Sequence, residues 1–588
     1  MGETSKQGRT IVESVPKTIQ GTRYLWQLSH HDHELAGEIG QALQLPPLVA
    51  LILTKRQITS PSQARDFLYS RLENLAPPHQ LPDIEKAVIR IVRAIEHGEQ
   101  IVVYGDYDVD GIAATALLVH FISRLAGKVQ WYLPHRIHEG YGLNKQALSH
   151  LHDQGVSLVV TVDCGSSDHD AIQHARELGI DVIVTDHHQP PRHLPAANVL
   201  LNPKLDQDIK ELRDLAGVGV AFYLVTALRT HFRRSGRWDV SDQPNLREYL
   251  DWVALGTLAD MAPLTSTNRI LTRVGLLELS RTSRYGLQAL REVCGLDNSQ
   301  VGDWDVLFRL GPRLNAPGRM GNGELALRLL LSTDLAEART LAGQVDEINR
   351  ERQVAEDKLL AEVLGSVEAD NSFQASSSLV LASPGWHKGL LGLVASRLAE
   401  RFNKPTVLLT QVDQVWEGSG RSVPAFDLHR ALDCCSEHLL RFGGHRQAAG
   451  LRLKQEQLPG FREAFESMVT KEIPREDLPR TLKVDSVARL DEINPGVMTY
   501  LELMQPFGVG NPEPIFCCQD FQVENLRILK GSHLQLRLRQ GNTRLNAIGF
   551  RLLESGQAAP APERLLFSPR WNYWQGEKRL QLHIIDYG

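Results

Sequence analysis

Acidic and imidazole side chains occur in four short clusters in the first half of this 588-residue chain. They are Asp106, Asp108 and Asp110 in GDYDVDG, Asp163 in VDCG, Asp186, His187 and His188 in TDHH, and Asp260 in GTLADMAPL. Crowded carboxylates raise one another's pKa, and a divalent cation removes that cost. Such ligands suit Mn²⁺ and Mg²⁺, with Zn²⁺ and Fe²⁺ as alternatives. Two such ions about 4 Å apart can hold the attacking and leaving oxygens of a phosphoryl displacement.

Three of these clusters directly follow short apolar runs, Ile101–Tyr104, Ser157–Val162 and Asp181–Val184, which read as strands. Helix-like segments alternate with the strands, which predicts an α/β fold with a parallel sheet covered on both faces. Ligands of such sheets bind outside the carboxyl ends of the strands, so the clusters should meet at one edge. A helix expected directly after Gly111 would add positive potential for a phosphate. Any single aspartate at such a turn could instead be a helix cap.

The sequence predicts six segments along the chain. An Ala-, Glu-, Arg- and Leu-rich stretch at 335–367 predicts a helix about 50 Å long. Alternating leucines at 533–539 are typical of a half-buried strand. The segments are an appended N-terminal region (1–79), an α/β domain with the acidic clusters (80–340), a connector helix and loop (341–378), a smaller α/β domain (379–455), a helical linker (456–479) and a small β-barrel (480–588).

Composition excludes several classes of protein. With 64 basic and 70 acidic residues the formal net charge is −6, so a nucleic-acid partner would need local basic patches. Gly and Pro number 46 and 29, too few for a collagen-like or low-complexity chain. The six cysteines form no CxxC, which argues against a structural zinc site and for reduced thiols. The absence of an apolar run of membrane-spanning length and of an apolar signal core predicts a cytoplasmic protein without a membrane partner.

In combination, GDYDVDG, VDCG, TDHH and GTLADMAPL resemble the DHH phosphoesterase superfamily. GWHKGLLGLVASRLAER, GSGRS and GGHRQAAG resemble its associated substrate-binding domain. With the β-rich C-terminal region, the chain resembles the RecJ family of bacterial single-strand-specific 5′→3′ DNA exonucleases over about 80–588. The resemblance implies a parallel-sheet DHH domain, a second α/β domain joined by a long helix, and an oligonucleotide-binding-type barrel.

The resemblance also implies roles for the clustered side chains. Two Mn²⁺ or Mg²⁺ ions would be held by Asp108, Asp110, Asp163, His187 and Asp260, with Asp106 as a further ligand or a group supporting one. His188 would orient the substrate phosphate or the attacking water, and Asp186 would support the histidines by hydrogen bonds. The implied reaction is hydrolysis of DNA to 5′-mononucleotides in recombination and repair, without a covalent protein intermediate.

Contacts to single-stranded DNA are implied for a second set of residues. Arg136 and Arg319 would grip the 5′-terminal phosphate, and the other proposed contacts are Arg313, Arg421, Ser422, Gly443, Gly444 and His445. A run of six basic residues without an acidic one, at 525–553, is typical either of a phosphate-tracking surface or of a solvated sheet face, and the resemblance favours the first. The family further implies a helicase and a single-strand-binding protein as partners, and we expect a monomer.

Two alternative functions remain open at this stage. Other superfamily members hydrolyse small substrates such as short oligoribonucleotides, cyclic dinucleotides or pyrophosphate. The length of this chain and its C-terminal basic run favour a polymeric substrate over these. The second alternative is a non-catalytic DNA-binding replication scaffold of the same fold, which should have lost ligand residues that are all present here.

Overall fold

The computed structural model describes residues 18–136, 138–239, 242–297, 300–473, 480–553, 561–574 and 577–588. Part of the expected linker, at 474–479, lies outside these ranges. The chain forms two compact units, one from the described parts of Met1–Ser70, Asp477–Phe507 and Pro512–Gly588, the other from those of Arg71–Glu476 and Gly508–Asn511. The N-terminal elements are β1 (Thr18–Gln20), β2 (Leu25–Leu28), α1 (His33–Leu43), α2 (Pro47–Lys55) and α3 (Pro61–Leu68).

A five-stranded, wholly parallel sheet lies at the centre of the second unit, in the order β4-β3-β5-β6-β7. Its strands are β3 (Gln100–Gly105), β4 (Lys128–Tyr132), β5 (Val156–Val162), β6 (Asp181–Thr185) and β7 (Val199–Leu201). The accompanying helices are α4 (Ile84–His97), α5 (Val109–Arg124), α6 (Lys145–Asp153), α7 (His169–Glu177) and α8 (Gly217–Arg234). The central strands are continuous buried apolar runs, as expected for a sheet covered on both faces. The predicted parallel sheet is confirmed.

The helix after the first acidic cluster begins three residues earlier than predicted. It begins at Val109 rather than after Gly111, and Asp108 is its N-cap, with Oδ1 accepting from the backbone N–H groups of Asp110 (3.0 Å) and Gly111 (3.1 Å). Aspartate is among the preferred N-cap residues because its carboxylate satisfies free N–H groups of the first turn. The capping role considered for single aspartates therefore applies to Asp108.

The sheet is followed by a mainly helical region. Its helices are α9 (Leu250–Ala259), α10 (Ser266–Ser280), α11 (Tyr285–Val293), α12 (Asp303–Asp305), α13 (Gly311–Met320), α14 (Glu324–Leu331), α15 (Leu335–Ala369) and α16 (Asn371–Ala375). The predicted helix over 335–367 is confirmed, and α15 has 35 residues. Among the described residues, no helix is long and apolar enough to cross a membrane.

A second sheet follows in the same unit, in the order β11-β12-β10-β9-β8. Its strands are β8 (Leu379–Ala382), β9 (Thr406–Val412), β10 (Val415–Arg421), β11 (Arg441–Gly444) and β12 (Ala448–Lys454), with helices α17 (Leu391–Phe402), α18 (Leu428–Cys434) and α19 (Leu458–Glu472). Only β8 and β9 pair in parallel, and the other neighbours are antiparallel. The GSGRS motif therefore lies at the end of β10, and GGHRQAAG forms the β11–β12 hairpin.

The other unit contains a seven-stranded sheet in the order β14-β15-β19-β20-β18-β17-β16. The C-terminal elements are β13 (Thr481–Val484), β14 (Ser486–Val487), α20 (Pro495–Met504), β15 (Phe516–Gln519), β16 (Gln522–Leu529), β17 (His533–Gln540), β18 (Thr543–Gly549), β19 (Arg564–Trp574) and β20 (Glu577–Tyr587). β13 pairs in parallel with β2, and side chains of α1, α2 and α3 share one hydrophobic core with this sheet. The N-terminal region thus packs as part of this β-rich unit.

Candidate metal centre and phosphate-binding site

The acidic and imidazole side chains meet around His187, at the carboxyl edge of the first sheet. Its Nε2 lies 3.0 Å from Asp163 Oδ1, and 3.8 Å from both Asp110 Oδ2 and Asp260 Oδ2. Three overlapping sets of side chains are close enough to hold an ion: Asp163 with His187 and His188, Asp110 with His187 and Asp260, and Asp106 with Asp108 and Asp163. The predicted convergence of all four sequence clusters is therefore confirmed, and sites for more than one ion overlap.

Three atoms at the centre of this cluster are buried without a hydrogen-bond partner. They are Asp106 Oδ1, Asp163 Oδ1 and His187 Nε2, the last two of which lie 3.0 Å apart but not in hydrogen-bond geometry. A buried polar atom left without a partner costs free energy, so proteins normally satisfy such atoms or bind a ligand with them. Two carboxylate oxygens and one imidazole nitrogen are donors that Mn²⁺ and Mg²⁺ accept. The residues present therefore fit divalent cations.

Backbone groups and close packing hold the carboxylates in place. Asp110 accepts from the N–H groups of Gly217 (2.7 Å) and Val218 (2.9 Å) at the start of α8. A Cβ on Gly217 would lie 2.7 Å from the Asp163 side chain, and one on Gly256 would lie 2.7 Å from Asp110 Oδ1. Asp163 itself has φ +63°, in the left-handed region. The site thus requires two glycines and one left-handed residue to bring its carboxylates together.

Burial and mutual repulsion shift the pKa values of these groups. Burial, followed by the charge of neighbouring aspartates, raises the pKa of Asp110 to about 7 and that of Asp260 to about 8. The same causes raise the pKa of Asp106 and Asp163 well above the ordinary range. Burial lowers the pKa of His187 to about 3. Without a cation the carboxylates retain protons near neutral pH, so binding a cation should release them.

Asp186 supports the two histidines from behind. Its Oδ1 accepts from His188 Nδ1 (2.8 Å) and from the backbone N–H groups of His187 (2.7 Å) and His188 (3.1 Å), and its Oδ2 accepts from Ser166 N (2.9 Å). Burial alone would lower the pKa of His188, but the hydrogen bond to Asp186 outweighs it and the pKa rises to about 9. Asp186 therefore orients the His188 ring directly, and reaches His187 only through its backbone.

Tyr141 is a site residue that sequence reasoning did not single out. Its hydroxyl donates to the Asp163 carbonyl at 3.1 Å and lies 3.1 Å from His188 Nδ1, while the side chain remains 45% exposed. Tyr141 lies five residues after Arg136, which the sequence analysis selected. An exposed aromatic ring beside the metal-binding groups is suited to contact a nucleobase.

Three half-buried arginines form a second feature of the site, here called the arginine cluster: Arg136, Arg319 and Arg421. The Arg136 guanidinium lies 4.9 Å from the Tyr107 ring centroid. Burial, together with repulsion from Arg136 and Arg421, lowers the pKa of Arg319 to about 9. Burial, and then Arg136, lowers the pKa of Arg421 to about 10. Burial and mutual repulsion both disfavour three neighbouring guanidinium cations. Their arrangement therefore favours an anionic ligand, which would relieve the repulsion.

Two of the other predicted DNA contacts, Arg313 and Ser422, already form hydrogen bonds within the protein. Arg313 donates to Asp346 Oδ1 (2.8 Å) and to the Arg309 carbonyl (2.9 Å), so its guanidinium is already engaged. The Ser422 hydroxyl donates to the Phe426 carbonyl (2.9 Å). Ser419, which the sequence analysis did not select, accepts from Arg421 Nη1 at 2.9 Å. The alternating side-chain directions of β10 explain this, since Ser419 and Arg421 share one face.

The glycine-histidine motif of the second α/β domain reaches the metal-binding groups. Gly443 and Gly444 end β11, and Gly444 has φ +143°, which favours glycine. A hydrogen bond from His445 N to the Ala448 carbonyl (2.7 Å) closes the turn. The His445 ring then stacks on His188, with centroids 5.9 Å apart and planes at 14°. His445 is therefore close enough to His188 to share a ligand.

Comparison with known families matches three parts of the chain. The DHH family, N-terminal domain, matches residues 100–257, the DHHA1 domain matches 375–471, and the RecJ OB domain matches 484–586. The single-stranded-DNA-specific exonuclease RecJ of Escherichia coli is 36% identical over 562 residues, covering 92% of this chain and 96% of the relative. The chain belongs to the RecJ family. The enzyme of that name from Thermus thermophilus is 34% identical, over 93% of this chain and 76% of its own.

Solved structures agree with membership of the RecJ family. The crystal structure of Thermus thermophilus RecJ in complex with Mn²⁺ matches 96% of this chain and 79% of its own, with a TM-score of 0.81 and 30% identity. The corresponding complex with Mg²⁺ gives a TM-score of 0.76. The fold is thus that of RecJ family members, including the oligonucleotide-binding-type domain expected at the C-terminus. The ions in those two structures are the ones that the carboxylate and imidazole groups here favour.

Proposed function

We propose that this chain is a metal-dependent exonuclease that removes 5′-mononucleotides from the 5′ end of single-stranded DNA. The observation that carries the proposal is the juxtaposition of the metal-binding groups with the arginine cluster in one unit. The first can hold divalent cations, and the second offers three cations to a phosphate. Membership of a family whose relatives are named single-stranded-DNA-specific exonucleases supports this substrate.

We assign the divalent cations to Asp106, Asp108, Asp110, Asp163, His187 and Asp260. Bound there, they would lower the pKa of an attacking water and neutralise charge that develops on the phosphate. Asp108 would combine this role with capping α5. His188, held by Asp186, is placed to donate a proton or hydrogen bond to the scissile phosphate, because its raised pKa keeps the ring protonated at neutral pH.

Recognition of the strand end is assigned to the arginine cluster and to groups around it. Arg136, Arg319 and Arg421 would bind the 5′-terminal phosphate, with the Ser419 hydroxyl beside Arg421. Tyr141 would stack on the terminal base, and His445 with Gly443 and Gly444 would contact the backbone. This arrangement requires a free 5′ end, which is the basis of the proposed polarity.

We place the enzyme in DNA recombination and repair in the cytosol, where its cysteines, all free thiols, would stay reduced. We propose that it acts as a monomer, with a helicase and a single-strand-binding protein as partners.

Digestion of single-stranded DNA tests the proposal. A strand labelled at its 5′ end should release labelled mononucleotide first, whereas a 3′ label should remain on shortening fragments. Activity should require Mn²⁺ or Mg²⁺ and stop with a chelator. Asp163→Asn should lose roughly 100-fold to 1,000-fold in rate, as removal of a group that stabilises transition-state charge does. Asp153→Asn, at an exposed residue on α6, is the matched control. Hydrolysis of cyclic dinucleotides or pyrophosphate but not of DNA would overturn the proposal.

A further inference from the structure

Lys204 follows β7, which lies beside β6, the strand that leads into His187 and His188. The pairing of Thr185 with Leu201 brings Asn202 level with Asp186. Asn202 Nδ2 donates to the His188 carbonyl (2.8 Å), and its Oδ1 accepts from Lys204 N (2.9 Å). A short 3₁₀ turn, Pro203–Leu205, begins at this point. The backbone of Lys204 is therefore fixed against the segment that carries His187 and His188.

The Lys204 ammonium is half-buried and, among the described residues, forms no hydrogen bond or salt bridge. Burial lowers its pKa, while attraction to Asp186, Asp260 and Asp214 acts in the opposite direction. An ammonium has three N–H donors, and water alone satisfies them poorly in a partly closed site. An anion arriving beside Lys204 would supply the missing acceptors.

Lys204 and the arginine cluster act on different carboxylates of the metal-binding site. Arg136 attracts Asp106, and Arg319 attracts Asp108. Lys204 instead attracts Asp186 and Asp260. Arg136 follows β4 and Lys204 follows β7, which are the two edge strands of the first sheet. The strands that precede Asp106, Asp163 and His187 are β3, β5 and β6, which lie between those edges. A polyanion that crosses the metal site would meet the arginines on one side and Lys204 on the other.

We propose that Lys204 binds the backbone phosphate between the second and third nucleotides of the single strand. The inference rests on the proposed function, which puts the 5′-terminal phosphate on the arginine cluster and the scissile phosphate at the metal-binding groups. The next phosphate along the strand then falls toward Lys204. Lys204 is in this view a substrate-binding residue that fixes the register of the strand, so that cleavage occurs one nucleotide from the end.

The competing explanation is that Lys204 only offsets the negative charge of Asp186 and Asp260. Both explanations predict that Lys204→Met slows the enzyme, so a rate alone does not separate them. They differ in what happens when one phosphate of the DNA is made neutral. A direct contact loses its acceptor only at the linkage that Lys204 touches, whereas charge balance within the protein is indifferent to which linkage is neutral.

The test measures kcat/KM for release of the first nucleotide, with Mn²⁺, from 5′-phosphorylated single strands that carry one methylphosphonate. The methylphosphonate is placed between nucleotides two and three or between nucleotides five and six. For wild type, the first position should reduce kcat/KM roughly tenfold to 100-fold, the range for losing a hydrogen bond to a charged group. Lys204→Met should show that loss already on unmodified DNA and no further loss at the first position, and Lys204→Arg should restore the sensitivity. Lys128→Met, at the exposed start of β4, is the matched control and should behave as wild type.

Each result has one meaning. Equal sensitivity of wild type and Lys204→Met to the first methylphosphonate would overturn the role of Lys204 while the proposed nuclease function stands. A wild-type enzyme that fails to degrade the unmodified strand would instead overturn the proposed function, and this role with it. Lys204→Met must keep the melting temperature of wild type, which circular dichroism reports, and Lys204→Gln, which also removes the charge, carries the test if it does not.

Discussion

Two features restrict which residue can occupy position 163: its side chain lies among the metal-binding groups, and its backbone is left-handed. The carboxylate lies 3.0 Å from His187 Nε2, and the backbone is left-handed at φ +63°. Asparagine and aspartate tolerate that conformation better than other side chains with a Cβ. Asp163→Asn therefore removes the charge and keeps the shape, whereas Asp163→Ala would add backbone strain. The asparagine variant is thus the cleaner probe of the metal site.

We expect Mn²⁺ to stabilise the wild-type fold and to stabilise Asp163→Asn much less. A ligand that binds only the folded state at 100 times its Kd adds about 2.7 kcal/mol. Differential scanning calorimetry with and without Mn²⁺ measures this as a rise in Tm. Asp153→Asn should keep the full rise. Equal rises in wild type and Asp163→Asn would contradict the assignment of Asp163 as a ligand.

Arg319 and Arg313 lie on the same helix, α13, but have different surroundings. Arg319 belongs to the arginine cluster, while Arg313 is bound to Asp346 at 2.8 Å. We expect Arg319→Gln to lose the preference for 5′-phosphorylated over 5′-hydroxyl strands, by roughly tenfold to 100-fold in kcat/KM for one charged hydrogen bond. Arg313→Gln should retain it. Competition between the two strand types measures the preference, and its retention in Arg319→Gln would remove Arg319 from the phosphate site.

At the scale of elements, the loop between β4 and α6 carries two site residues, Arg136 and Tyr141. Glu139 holds this loop by accepting from Tyr132 Oη (2.7 Å), Asn144 Nδ2 (2.9 Å) and His135 N (2.6 Å). Burial would raise the pKa of Glu139, but these hydrogen bonds outweigh it and lower the pKa. The carboxylate therefore stays ionised and keeps the loop in place at neutral pH.

Glu139→Ala should release the loop without touching any metal-binding group. We expect kcat/KM to fall roughly tenfold to 100-fold, as for the loss of hydrogen bonds to a charged group, mainly through a higher KM. Mn²⁺ binding should be unchanged, which calorimetry of the variant checks. The exposed substitution Glu177→Ala at the end of α7 is the control. A fall in kcat alone, or weaker Mn²⁺ binding, would show that Glu139 acts on the metal site instead.

The same elements show how far the sequence predicts the structure. The strands could be read from apolar runs followed by acidic clusters, and the convergence of those clusters follows from the rule that parallel strands share a carboxyl edge. The β7 strand carries no acidic group, so the pattern that revealed the other strand ends did not draw attention to Lys204. Its position depends on the strand register and on the hydrogen bonds that link Asn202 to the His188 carbonyl and to Lys204 N.

Side-chain partners from distant segments explain the remaining differences. Arg313 and Arg319 look alike in FRLGPRLNAPGRMGN, yet Asp346 on α15 engages only Arg313. Within GSGRS, the sequence offers two serines, and only the strand alternation of β10 decides that Ser419 lies beside Arg421. The position of Asp108 before a helix predicts that its side chain caps that helix. The position does not predict whether the same side chain also faces the metal site.

At the scale of the whole molecule, binding of DNA must work against the net charge of −6. The basic run of the C-terminal domain is only partly offset, because Arg537, Arg539 and Arg544 all form salt bridges with the single carboxylate of Glu524. That carboxylate lies one residue before the run that the sequence analysis considered. In the second unit, the cations that we propose for phosphate binding are the arginine cluster and Lys204.

The salt dependence of binding should reflect this small number of contacts. For single strands, log K falls with log salt at about −0.7 for each phosphate neutralised. We expect Arg319→Gln to reduce the slope for a 5′-phosphorylated strand by about that amount, because the variant gives up one phosphate contact. Fluorescence anisotropy between about 50 and 200 mM KCl with a chelator, which should prevent cleavage, measures the slope, and Arg313→Gln is the control. A slope that stays unchanged in Arg319→Gln would mean that other basic surfaces dominate binding, and that the local arginine cluster does not offset the acidity of the chain.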